Sequence, residues 1–321
     1  MFRSLSAPLV LCLLVAGPAS AQGRSSESSP ALRVVSLNPS LTAILVALDA
    51  RAVLVGVDDF SARQQEAVAD LPAVGGLFNP SLESVVALEP DLVVMVPSVE
   101  QRDFHARLAE LGLPVALFEN IRFDQVLENI GRLGRLVGRE REAHERIELI
   151  RRTQRAAEQV LEARSAPRTL VVLQREPIFV VGSGSFIDEL LSNAGARNAA
   201  SEFADPYPRV ASEWLVSAAP DVLIDMSEDP VAATDYWSRW PSLPAHVSGR
   251  VYQLDPAEVT LPGPYLDRSL QRLVATLHGA EAAVAIDARR MELAREASTA
   301  SDGSGAAAAR AVGARPDDER R

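Results

Sequence analysis

Cysteine is nearly missing from this sequence: the single one in 321 residues is Cys12. It lies inside "MFRSLSAPLVLCLLVAGPASAQG", where Arg3, an apolar run from Leu9 to Val15 and the small-residue pattern Ala19-Ser20-Ala21 read as a secretory signal cut after Ala21. Leu11 precedes Cys12, whereas a lipoprotein site wants a small residue there, so export with release is expected rather than lipid anchoring. The apolar run is too short to remain as a membrane span. With no cysteine left after cleavage, disulfides are excluded and an exported chain must rely on its core, which this length permits.

A basic stripe is also lacking. The formal charge is −11 and the isoelectric point about 5.0, and no arginine cluster is interleaved with aromatics, which excludes nucleic acid as the main partner. The chain has no G-x-S-x-G nucleophile turn and no G-x-x-x-x-G-K-S/T phosphate loop. Its four histidines, His105, His144, His246 and His278, show no H-x3-H or H-E-x-x-H spacing, so no metal site and no cofactor of its own are expected. The chain does not read as an enzyme. A secreted hydrolase stays as the alternative from another class, tested by turnover of a chromogenic ester or glycoside.

What is present is a regular alternation of strand and helix patterns, in a chain that is 47% hydrophobic and 23% charged. After the signal at 1–21 and a Ser-rich flexible lead-in at 22–31, strands are expected at 33–37, 52–58, 91–96 and 113–119, with helices between them. Strands resume at 168–174, 178–182, 221–226 and 250–255, and a closing helix follows "LPGP". Such alternation predicts parallel sheets flanked by helices. Between the two halves the sequence has no strand-like run. Gly138 splits it, and a helix of about 26 residues, roughly 39 Å long, follows. Its narrow apolar stripe is Ala143, Ile147, Ile150, Ala157 and Val160; it either bridges two lobes or packs on one, and its central place favours the bridge. The expected organisation is an N-terminal lobe at 32–137, an interlobe helix at 138–165, a C-terminal lobe at 166–280, and an extension at 281–321 that is largely a disordered tail.

One segment occurs twice. "SLESVVALEPDLVVM" and "ASEWLVSAAPDVLID" each place a glutamate seven positions before Pro-Asp and an aliphatic run: Glu83, Pro90 and Asp91, then Glu213, Pro220 and Asp221. Together with "RVVSLNPSLTAILVALDARAVLVGVDDFS", "GGLFNPSLESVVALEPDLVVM", "EPIFVVGSGSFIDELLSNAGARN" and "YPRVASEWLVSAAPDVLID", this resembles the periplasmic substrate-binding proteins of iron-siderophore, haem and cobalamin ABC importers, most of all the cobalamin-binding ones. The likeness covers nearly all of 32–280.

The resemblance implies two Rossmann-like α/β lobes with a central ligand cleft, joined by a long helix, in a monomer that meets the membrane only through its permease partner and the permease's ATPase. It implies that Glu83 and Glu213 dock to permease arginines. The alternative is that both acids merely favour the start of their helices, worth about 0.3 to 1 kcal/mol each. The expected ligand is a corrinoid, with a ferric siderophore or haem as the alternative. It would be held by Asn38, Pro39, Phe60, Phe78 and Tyr207, on loops beyond the carboxyl ends of strands, together with Phe179, Ser183 and Tyr265. Phe78 either stacks on the ligand or packs under its own loop. "GSGS" at 182–185 either offers backbone N–H groups to the ligand or is a strand-to-helix turn. Relatives commonly carry Pro-Arg where this chain has Pro264-Tyr265, which adds a third aromatic and removes a basic contact to an anionic siderophore.

Overall fold

The computed structural model describes residues 32–99 and 101–313, the side chains of 300–313 excepted; the signal and lead-in lie outside them. The N-terminal lobe runs β1 (Val34–Ser36), α1 (Pro39–Ala47), β2 (Leu54–Val57), α2 (Asp59–Gln64), α3 (Leu82–Ala87), β3 (Leu92–Met95), α4 (Arg102–Glu110), β4 (Val115–Leu117) and α5 (Phe123–Leu136). Its sheet is wholly parallel, in the order β2-β1-β3-β4. The helix α6 (Glu140–Leu161) follows. Gly138, at φ 67°, supplies the left-handed turn that ends α5 and releases the chain into α6.

The C-terminal lobe contains β5 (Arg168–Arg175), β6 (Ile178–Val180), α7 (Phe186–Asn193), β7 (Arg197–Asn198), β8 (Arg209–Val210), α8 (Ser212–Ala218), β9 (Val222–Asp225), α9 (Ala233–Trp237), α10 (Pro244–Val247), β10 (Val251–Gln253) and α11 (Leu266–His278). Strands β10-β9-β5-β7 repeat the arrangement β4-β3-β1-β2 of the first lobe. The sheet is not purely parallel as expected: β6 runs antiparallel to β5, and β8 antiparallel to β6. Only Glu176 and Pro177 separate β5 from β6, and a parallel crossover needs a dozen residues or more. The short α9 and α10 have no counterpart in the sequence reading.

The lobes share one core. Val34, Leu41 and Val94 of the first lobe belong to the same buried cluster as Val171, Val181 and Ile224 of the second, linked through Ile130 of α5, Ile150 of α6 and Leu273 of α11. Separate clusters fill the outer faces, around Val35 and Leu108 in one lobe and around Leu223 and Trp237 in the other. The α6 stripe is as expected and also takes in Thr153, Ala156 and Leu161. Backbone and side-chain bonds cross directly between lobes: Phe186 N–H donates to Ile121 O at 2.7 Å, and Phe123 N–H to Glu189 Oε1 at 3.3 Å. Burial holds the Glu189 carboxyl above the usual carboxylate range.

The extension differs from the expected tail. It forms α12 (Ala280–Gly313), which packs along α6 and α11, with Ala282 and Ile286 fully buried. Arg289 fixes it by donating to Gln159 of α6 at 2.6 Å and pairing with Glu292 and Glu296 on its own helix. The sequence contains no lysine, so all 32 of its basic residues are arginine, and planar guanidinium forks of this kind recur at its junctions.

Candidate functional site

The doubled segment is one structural joint built twice. In each lobe the residue before proline, Glu89 or Ala219, has a left-handed backbone with φ near 44° and 43°, which stops the helix. The following aspartate accepts the backbone N–H of an arginine at the start of the central strand: Arg33 to Asp91 at 2.8 Å and Arg168 to Asp221 at 2.9 Å. Each guanidinium then reaches back to the helix-end carbonyls, Leu88 and Glu89 in one lobe, Ala218 in the other. These bonds satisfy the carbonyls a helix C-terminus leaves open. The Pro-Asp repeat therefore has a purely structural cause.

The glutamates do not share that cause. Glu83 and Glu213 both sit exposed in the first turn of α3 and α8. Neither takes part in an ion pair among the described residues. Three residues on, Val86 and Val216 are 39% and 40% exposed, so each lobe presents a carboxylate and an apolar side chain on one helical face.

At the carboxyl ends of the N-terminal strands, Asn38 caps α1 by accepting from Ser40 N–H at 3.0 Å, with Pro39 at the first helical position. Asp58 caps α2, accepting from Phe60 and Ser61 N–H, and Thr42 donates to Ser36 at 2.8 Å beneath them. This buried polar floor holds Phe60 46% exposed in the first turn of α2, while Phe78 is 62% exposed before α3. The loop side of β3 and β4 carries a cavity of about 370 Å³ whose lining includes Met95, Gln101, Leu117 and His105. His105 thus lines a cavity at the strand ends, where the sequence reading gave it only a charged helix face.

In the C-terminal lobe the first three N–H groups of "GSGS" are already used. Gly182 donates to Pro206 O and Ser183 to Phe203 O, both at 2.9 Å, and Gly184 to Asp188 Oδ2 at 3.0 Å. A side chain at Gly182 would collide with the Asp205 carbonyl, so glycine is required by this close approach. The segment is a strand-to-helix turn in which Ser185 caps α7. It clamps the loop carrying Tyr207, which packs half-buried against the shared core with its phenol pushed up to about 12 by burial. Phe179 lies half-buried in β6. Tyr265, 37% exposed at the start of α11, has the guanidiniums of Arg146 and Arg268 at 5.3 and 4.4 Å from its ring centre. Arg146 also pairs with buried Asp267, tying α6 to α11, and burial lowers its pKa to about 10.

A second feature at these strand ends has no precursor in the sequence reading. Arg175, at the end of β5, is buried and donates through Nε to Asp225 at 2.8 Å, while its Nη1 donates to Val231 O at 2.7 Å. Asp225 also accepts Trp237 Nε1 at 2.5 Å and Ser227 N–H at 2.9 Å. A cavity of about 550 Å³ opens beside this network, between the ends of β5 and β9 and the loop after β10. Nothing in the one-dimensional pattern joins Arg175 to Asp225, 50 positions away.

Among the described residues no group of three or more His, Cys, Asp or Glu side chains is placed to hold a metal ion, and no helix is long and apolar enough to cross a membrane. Comparison with known proteins agrees with the architecture. The vitamin B12-binding protein of Vibrio parahaemolyticus is 25% identical over 238 residues, covering 74% of this chain and 86% of that protein. The crystal structure of the periplasmic vitamin B12-binding protein of Vibrio cholerae superimposes with a TM-score of 0.67 at 26% identity, over 78% of this chain and 98% of that one. A periplasmic haem-binding protein from Pseudomonas aeruginosa gives 0.64 at 25% identity, over 77% and 92%. The sequence profile of periplasmic binding proteins matches residues 34–258, most of both lobes, and the chain belongs to the periplasmic binding protein family.

Proposed function

We propose that this protein is the solute-binding component of an ABC importer, that it holds a corrinoid between its lobes, and that it presents Glu83 and Glu213 to the permease. The observation that carries the reading is the placement of aromatic side chains at the strand ends of both lobes, Phe60 and Phe78 on one and Tyr207 on the other. Flat rings bury a macrocycle's faces with little lost rotamer freedom. Similarity to proteins named for vitamin B12 supports the corrinoid. The shared core supports a small closure angle, because a continuous packed spine resists hinge bending. The protein performs no chemistry on its ligand in this reading, and import is driven by the ATPase.

Haem is the second reading, favoured by similarity to haem-binding proteins and by His105 in the N-terminal cavity. Tyr207, packed half-buried against the shared core, is the weaker axial candidate. Isothermal titration of the purified protein with cyanocobalamin, haemin and a neutral ferric trihydroxamate tests the proposal. One-to-one binding of cyanocobalamin is expected. Binding of haemin alone, lost in His105→Ala, would replace the corrinoid by haem.

A further inference from the structure

The cavity beside Arg175 contains two buried polar atoms that nothing satisfies. Arg175 Nη2 and Ser227 Oγ are sealed from bulk solvent and have no hydrogen-bond partner among the described residues, and both residues line the cavity. An unpaired buried donor is costly, and more so when it belongs to a charged group. The rest of the lining fixes what such a donor can receive. Glu176, Glu228 and Asp229 line the same cavity, and Asp225 lies directly beneath. Arg175 is already committed to Asp225 and to Asp229 at 3.2 Å, and Glu176 pairs with Arg239 at 3.6 Å and accepts the Tyr236 hydroxyl at 3.3 Å. Four carboxylates thus gather around two guanidiniums, in a setting that repels any further negative charge.

We infer that this cavity is a ligand subsite for an uncharged hydrogen-bond acceptor, such as a primary amide carbonyl on the ligand's periphery, and that it discriminates against carboxylates. The inference rests on the cleft-binding reading above and adds the charge class that the cleft selects. The acceptor oxygen takes a hydrogen bond from Arg175 Nη2, and Ser227 Oγ serves the amide as donor or acceptor. Because both atoms are sealed in the unliganded lobe, the irregular segment 226–231 must yield as the ligand enters. A carboxylate gains the same two contacts and meets the surrounding acids. Macrocycles that differ only in carrying amides or acids are thereby separated by charge alone.

Titrations of the intact protein with cyanocobalamin and with a corrin whose peripheral amides are hydrolysed to carboxylates test this. The amide form is expected to bind at least about 100-fold tighter, a difference of about 2.7 kcal/mol. Glu176→Gln/Glu228→Gln changes two exposed acids of the lining and should narrow that gap by strengthening the carboxylate form. Ser227→Ala removes a hydroxyl that makes no bond in the unliganded protein; it should keep the thermal midpoint and weaken the amide form about 3- to 10-fold. Equal binding of the two corrins, or an unchanged affinity in Ser227→Ala, would overturn the inference while leaving the importer role. If neither corrin binds, the corrinoid reading fails separately. The neutral ferric trihydroxamate and the anionic haemin then make the same charge comparison: binding of the neutral one alone supports the inference, and binding of haemin overturns it.

Discussion

Replacing Asp225 by Asn probes the network that walls the C-terminal cavity. In the native protein one carboxylate oxygen accepts both Arg175 Nε and Trp237 Nε1, and the other accepts Ser227 N–H. An asparagine has one acceptor oxygen, so whichever way it is turned its NH2 group faces a donor. The side chains of Arg175 and Asp225 are 1% and 0% exposed, leaving the guanidinium charge with only Asp229 as ion-pair partner. Removing one member of a buried pair costs about 3 to 5 kcal/mol, whereas replacing both by apolar groups is often neutral. Asp225→Asn should therefore lower the urea midpoint by roughly 1 M or more at a slope of about 3 kcal/mol/M. Arg175→Met/Asp225→Asn should be more stable than Asp225→Asn alone, with a coupling of about 1 to 3 kcal/mol. Trp237 reports the local change by fluorescence. A loss below about 1 kcal/mol in Asp225→Asn, or simple additivity in the double variant, would refute the reasoning.

Three further outcomes follow from the joints, from Glu189 and from the exposed pair Glu83 and Glu213. Asp91→Ala and Asp221→Ala each leave a strand-initiating N–H without its acceptor and should cost about 1 to 2 kcal/mol, similar in the two lobes, by urea denaturation; an effect in one lobe only would break the equivalence of the joints. Glu189 has a raised pKa, so the folded state binds its proton more tightly than the unfolded state. Its contribution makes stability fall as pH rises from the ordinary carboxylate value through the raised one. Glu189→Gln keeps an acceptor for Phe123 N–H and should flatten that fall, as read by thermal midpoints followed upward in pH from the ordinary carboxylate value; an unchanged profile would contradict the assignment. Glu83→Ala/Glu213→Ala should abolish import in cells while leaving ligand affinity and melting temperature near wild type, whereas normal import would reduce both acids to helix starters.

The parts of this protein legible in its sequence are those governed by local pattern. The aliphatic runs of β1, β3, β5 and β9 bury both faces, and the α6 stripe appears where its periodicity places it. The repeated Glu-x6-Pro-Asp was visible, yet its structural partner was not: Arg33 and Arg168 stand immediately before "VVSL" and "TLVVL", and recognising them needs the strand-to-helix hydrogen bonds. The reversal at β6 was available from the short spacing between the expected strands 168–174 and 178–182, too few residues for a parallel crossover. The polar content of "ASTASDGSG" masked α12, whose packed first turns bury Ala282 and Ile286 against the core. Arg175, Asp225 and Trp237 were illegible because their union depends on long-range packing alone. Of the expected ligand residues, the structure leaves Phe60 and Phe78 most open, uses Asn38 and the Ser183 amide locally, and sets two arginines around Tyr265.

The central claim is that one ligand is gripped by both lobes, and the affinity of Phe60→Ala and Tyr207→Ala for cyanocobalamin tests it most directly. Each variant should fold normally and bind roughly 5- to 150-fold more weakly, corresponding to about 1 to 3 kcal/mol for a lost stacking contact. Wild-type affinity in both variants would contradict the account and place the ligand elsewhere on the protein.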